Sequence, residues 1–237
     1  MDDNKLHFIN RFGSANIGDF WSSPYHYFDF NNVPKEKHSM KGIEVPASGA
    51  NIIVGGGLFP QRRIESLVLS PKYKNNNFVF WGVGFPALLA HHKRNWAPPE
   101  EVNSLFGFRD YGTNFDYVPC SSCMLSHFDK NYHTKREAGV YYNKGYKRLS
   151  QNALCNLPYE KLHNWNSSIG DVIKFLGESE TVITNSYHGA YWSLLLGKKV
   201  IIEEPLLSRA VKKHKTLKYN LDLEEARNIN KIFYDKV

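Results

Sequence analysis

Seven residues, Thr184-Asn185-Ser186-Tyr187-His188-Gly189-Ala190, bring together types that could do chemistry at one point of the chain. They follow the β-branched run Thr181 to Thr184, so they stand where a buried strand gives way to a helix starting near Ser186. The first amides of a helix have no partner inside it, and the dipole is positive there, so such a start can receive an anion. His188 falls in the first turn and could donate to that anion or move a proton beside it. The dipole would lower its pKa and hold it near neutrality as an acid or base. Gly189 would let a ligand or another backbone approach closely. The plainer reading is a helix capped by Ser186 with His188 bonded to a neighbouring loop, and the local sequence does not separate the two.

A second group, Asn16-Ile17-Gly18-Asp19, follows the apolar run Leu6 to Ile9. It could set an amide and a carboxylate at the mouth of a cleft, with Asp19 as base for a hydroxyl nucleophile. On local grounds alone, Asp19 as a helix N-cap explains it better. Gly55-Gly56-Gly57 ends the run Asn51 to Val54, and Gly82-Val83-Gly84 ends Phe78 to Trp81. Neither matches a dinucleotide fingerprint or a P-loop, yet backbone amides at Gly56 and Gly57 could contact a phosphate or carboxylate. Tight strand-to-helix turns would need the same glycines.

Cationic residues supply the third group. Arg109-Asp110 ends the run Leu105 to Phe108, and a buried strand end argues for an ion-pair or functional role rather than idle exposure. Between Pro205 and Tyr219 lie Arg209, Lys212, Lys213, Lys215 and Lys218 with His214 and no acid. Arginine suits bidentate phosphate or carboxylate binding, whereas a lysine run is more often a solvated face. Cys120-Ser121-Ser122-Cys123 is half of a zinc site at best, so two small buried thiols are the expectation.

These groups need a scaffold. Short apolar runs that stop at glycines read as parallel strands with loops at their carboxyl ends. Phe115 to Val118 and Ala138 to Tyr142 are further strand candidates, and Lys199 to Ile202 follows the histidine helix. Ile169, Val172, Ile173 and Leu176 recur at helical spacing between a Ser168 cap and Gly177. Leu223 to Tyr234 reads as a closing helix, and the polar stretch Ser126 to Arg136 as an interdomain linker. The fold expected is α/β, with two parallel-sheet halves, 1–125 and 126–237, facing one another across a cleft; that architecture resembles the two Rossmann-like halves of GT-B glycosyltransferases.

Composition narrows the classes. With 237 residues, 42% hydrophobic and 22% charged, the chain has apolar surface enough for a core. A net charge of +7 favours an anionic ligand but is mild for a nucleic-acid binder, and the aromatics are not interleaved with the basic run. Three cysteines make no disulfide framework at this length. Met1 to Lys5 lacks the features of a secretory leader, and no apolar run spans a bilayer, so a cytoplasmic location is expected. A homo-oligomer is left open.

The order of these motifs resembles the polysaccharide pyruvyl transferase family: N-x-G-D, G-G-G, W-G-x-G, R-D, V-P, and the late T-x-S-x-H-G-A helix start. The resemblance implies two Rossmann-like halves and transfer of a pyruvyl group from phosphoenolpyruvate, as co-substrate, onto a pair of sugar hydroxyls. On that scheme His188 and Asp19 are catalytic, and Arg109, Ser186, Gly189, Arg209, Lys212 and Lys213 bind the donor's anions. Asn16, Gly18, Gly56 and Gly57 line the acceptor side, and neither a metal nor a cofactor is required. The alternatives are a GT-B-type glycosyltransferase using a nucleotide sugar, or a non-catalytic glycan-binding relative.

Overall fold

The computed structural model describes residues 4–40, 42–57, 62–84, 102–111, 115–144, 154–202, 218 and 220–237. The chain forms two compact units. The first holds Met1–Ser14, Asp19–Ser122 and Asn228–Val237; the second holds Ala15–Gly18 and Cys123–Arg227.

In the first unit, β1 (Leu6–Asn10), β2 (Lys35–Ser39), β3 (Asn51–Gly55), β4 (Asn77–Val83), β5 (Ser104–Phe108) and β6 (Asp116–Tyr117) make one sheet, ordered β2-β1-β3-β4-β5-β6. All five pairings are parallel. β1, β3 and β4 are buried on both faces, which is why they read as unbroken apolar runs. On one face Ile9, Ile52, Val54, Phe80 and Phe108 pack with Ile64 and Leu67 of helix α2 (Arg62–Val68). Many of the aromatics are spent here on core rather than on a pocket: Phe80 stacks on Phe106 at 4.3 Å and Phe108 on Phe115 at 4.5 Å.

The second unit holds β7 (Arg136–Tyr142), β8 (Glu160–His163), β9 (Ser179–Thr184) and β10 (Lys199–Ile202), ordered β10-β9-β7-β8 and again wholly parallel. Helix α3 (Ile169–Gly177) buries Ile169, Val172, Ile173 and Leu176, and the Ser168 hydroxyl accepts from the Asp171 N–H at 3.4 Å. Helix α4 (Tyr187–Leu195) follows β9. The stretch Ser126 to Arg136 is part of this unit and not a linker. Asp129, Lys130 and Lys135 are exposed, but Phe128 is buried and Arg227 holds Asp129 at 2.6 Å.

The two sheets repeat one strand order, in which the second strand lies outside the first and the chain then crosses to the other side. Between β1 and β3, and between β7 and β9, the connections depart in opposite directions. Open α/β sheets bind ligands just beyond the carboxyl ends of strands at such switch points. The segments that follow β1, β3 and β9 are among those whose residue types suggest chemistry. The architecture, two parallel-sheet α/β halves with helices, is consistent with a GT-B-like fold. Among the described residues no helix is long and apolar enough to cross a membrane.

Candidate active site

In the second unit, β9 ends at Thr184, and the Asn143 N–H donates to Asn185 Oδ1 at 2.7 Å, tying the ends of β7 and β9 together. The Ser186 N–H donates to Thr184 Oγ1 at 3.0 Å, and the Ser186 hydroxyl accepts from the Gly189 N–H at 3.3 Å. Ser186 is therefore the N-cap of α4, and the amides of Ser186 and Gly189 are donated to hydroxyls of the chain itself. Close approach at Gly189 is used by the protein too. A Cβ there would stand 2.5 Å from Thr184 Oγ1 and from the Tyr141 ring. His188 is 6% exposed, its ring 5.0 Å from that of Trp192.

The Ala15–Gly18 segment is seated in this same unit. The Ile17 N–H donates to the Asn164 carbonyl and the Asn166 N–H to that of Ala15, both at 2.9 Å. Asn16 forms an antiparallel bridge with Trp165, while its Oδ1 accepts from the Gly18 N–H at 3.1 Å. Gly18 then lies directly against the imidazole of His188: a Cβ at this position would meet Nδ1 and stand 2.7 Å from Cγ. Two motifs far apart in sequence thus share one contact.

Asp19 does not cap the short helix α1 (Ile17–Trp21) but sits inside it. Its carboxylate pairs with Arg11 at 3.0 Å, and Asn10 Nδ2 donates to its carbonyl at 3.1 Å. Asn16, one residue before the helix, supplies the side-chain acceptor instead.

At the carboxyl end of the first sheet, Gly56 and Gly57 both have positive φ, +57° and +77°, which glycine adopts without strain. The Gly56 N–H donates to the Trp81 carbonyl at 3.0 Å, so it is turned toward β4. Arg109, 4% exposed, lays its side chain over Gly84, where a Cβ would come 2.5 Å from Nε. Burial pushes the Cys120 thiol up; Arg109 pulls it the other way, and Asp19 adds a smaller rise. Those effects bring Arg109, Asp19 and Cys120 into one electrostatic neighbourhood. Cys120 and Cys123 are both fully buried, as expected of packing thiols, and among the described residues no metal-ligating cluster includes either. Arg209, Lys212 and Lys213 lie outside the described residues, while Lys218, at the end of that run, pairs with Glu225.

Two buried polar side chains of the second unit give no signal in the sequence. Asn164 is 1% exposed and accepts from the Lys144 N–H at 3.0 Å, but its Nδ2 makes no hydrogen bond among the described residues. The Tyr141 hydroxyl, fully buried on β7, likewise has no partner among them, and burial raises its pKa far above the usual phenol range. An unpartnered buried hydroxyl costs free energy that a phenyl ring does not. Tyr141→Phe is expected to leave stability unchanged or raise it by up to about 1 kcal/mol. Urea denaturation would show it, and a loss above about 1 kcal/mol would mean that the hydroxyl is paired.

A family model described as "Polysaccharide pyruvyl transferase" matches residues 7–203. Among solved structures, a functionally uncharacterised protein from Klebsiella pneumoniae subsp. pneumoniae is similar over 92% of this chain and 92% of its own. The TM-score is 0.55 and the identity 14%, a likeness of fold alone. No curated protein matches the sequence.

Proposed function

We propose that this chain, which belongs to the polysaccharide pyruvyl transferase family, moves a pyruvyl group from phosphoenolpyruvate to a pair of hydroxyls on a sugar of a glycan, forming a cyclic ketal. The family is one of transferases. In this reaction a proton is added to the methylene carbon of the donor, making a methyl group, and one sugar oxygen bonds to the adjacent carbon. The second sugar oxygen then displaces phosphate from that carbon. Of the two hydroxyl protons released, one balances the proton taken up by carbon and the other leaves with phosphate. The chemistry asks for a positioned acid/base and for cations facing a carboxylate and a phosphate.

The observation that carries the reading is the seat of His188, buried in the first turn of α4 with Gly18 against its ring. His188 is the acid/base of the proposal. A Ser186 hydroxyl that accepts from Gly189 still has its own proton to donate, and the proposal gives that proton to the donor's anion. The dipole of α4 favours negative charge at the same point. Arg109 and the Arg209–Lys213 cluster are assigned to the donor's anionic groups, and Asn16 and Asp19 to orienting the acceptor.

Purified chain, phosphoenolpyruvate and glycans with suitably spaced hydroxyl pairs test this directly. Phosphate release should require both donor and glycan, and phosphoenolpyruvate alone should raise the melting temperature. Stabilisation by nucleotide sugars with none by phosphoenolpyruvate would replace the reading with glycosyl transfer. Stabilisation by oligosaccharide alone, without turnover, would leave a glycan-binding protein.

A further inference from the structure

The first sheet carries a group of side chains that the proposed reaction does not use. β2 is its edge strand and pairs in register with β1, so that Glu36 lies opposite His7 and His38 opposite Ile9. Side chains alternate along a strand, so His7, Glu36 and His38 project from one face of two neighbouring strands. His7 is 1% exposed, the His38 side chain 10% and the Glu36 side chain 46%. His7 Nδ1 lies 2.8 Å from His38 Nε2, which is 3.9 Å from Glu36 Oε1. One donor atom from each of the three falls within 4.8 Å of the others, and among the described residues no other group does this.

We propose that His7, Glu36 and His38 bind a divalent first-row transition ion of the Zn2+ class, which fastens the edge strand β2 to β1. Two imidazoles and a carboxylate are the donor set of such ions, whereas Mg2+ and Ca2+ prefer oxygen alone. Ligand atoms at the usual Zn–N and Zn–O distances stand roughly 3.3 Å apart in a tetrahedron. The histidine nitrogens must therefore part by about half an ångström, and the Glu36 carboxylate must close on His38 by a similar amount, which side-chain rotation supplies. Lys5 Nζ contacts Glu36 Oε2 at 3.4 Å, which leaves Oε1 for the ion.

Position argues for a holding role. His7 lies toward the amino end of β1, about 10 Å along the strand from Asn10 at its carboxyl end. β2 is also the strand that most needs fastening: its residues Lys35-Glu36-Lys37-His38-Ser39 are all at least partly exposed and supply little apolar burial. The proposal stands independently of the transferase reading.

The test uses the full chain without a histidine tag, stripped with chelator and titrated with Co2+, then Zn2+. The expected result is one Co2+ per chain with the intense visible bands of a low-coordinate site, displaced by Zn2+. Zn2+ at a hundredfold excess over its Kd should raise the melting temperature by roughly 5 °C or more. His38→Gln should weaken binding by more than about tenfold, the range in which loss of even an outer-shell partner falls. Glu36→Gln, at an exposed position with little bearing on folding, should weaken it as well. Only the weak spectrum of hydrated Co2+ in the unaltered chain would overturn the proposal, leaving an imidazole–imidazole hydrogen bond. Binding that survives unchanged in both variants would overturn it too, because the ion would then sit elsewhere.

Discussion

Gly18→Ala is expected to reduce turnover by about a hundredfold or more while the chain stays folded. The added methyl would clash with His188 Nδ1 and stand 2.7 Å from Cγ, so the imidazole must turn or shift. The ring cannot turn freely, because it is buried and packed against Tyr187 and Trp192. A displacement of about 1 Å in an acid/base group is enough for a hundredfold loss. Removing the group altogether, as in His188→Ala, should cost about 10²–10⁴. The overpacking itself should cost stability of only about 1–3 kcal/mol. Gly42→Ala is the control, since a Cβ there meets nothing within 4 Å. Unaltered turnover in Gly18→Ala would remove His188 from the mechanism, and so would unaltered turnover in His188→Ala.

That contact marks the limit of what the sequence reveals. Asn16 to Asp19 and Thr184 to Ala190 each stand out by residue type, but nothing in either says that they touch. Their meeting depends on Ala15–Gly18 joining the second sheet through backbone bonds to Asn164 and Asn166, and backbone bonds carry no signature in residue type. The helix start itself was legible, because a serine three residues before a glycine at a strand end has a direct capping role. Tyr141 is visible only as one more apolar strand position; that its ring lies beside Gly189, and that its hydroxyl has no partner among the described residues, follows from tertiary packing.

The same contrast runs through the strands. β1, β3, β4, β5, β7, β9 and β10 show as apolar or β-branched runs, most of them buried between crossover connections. β2 and β8 do not, and both are sheet edges: Lys-Glu-Lys-His-Ser and Glu-Lys-Leu-His. An edge strand with a charged surface avoids pairing with other chains, and the charge that protects it also erases the hydrophobic pattern by which a strand is found. Two of the three ligands of the proposed metal site, Glu36 and His38, lie on the β2 edge, so the site is hidden for the same reason.

Asn230→Leu is expected to be among the most destabilising single changes in the first unit, by about 2–5 kcal/mol. The helix α5 (Leu223–Tyr234) has an apolar stripe at Ala226 and Phe233, and Asn230 falls on that stripe with no exposure at all. By pattern alone a leucine belongs there. The amide has two fixed duties, however: its Oδ1 accepts from the Trp81 indole N–H at 2.7 Å, and its Nδ2 donates to the Pro119 carbonyl at 3.1 Å. Trp81 is fully buried, so leucine would strand both groups out of reach of water, at about 1–3 kcal/mol each. The melting temperature of the first unit should fall by roughly 5–15 °C, read as a separate transition if the two units melt independently. Adding Trp81→Phe to Asn230→Leu should cost less than the sum of the two single changes, because it removes the stranded donor. A loss below about 1 kcal/mol for Asn230→Leu, or strict additivity in the double change, would mean that this hydrogen-bonded bridge does not hold α5 to β4.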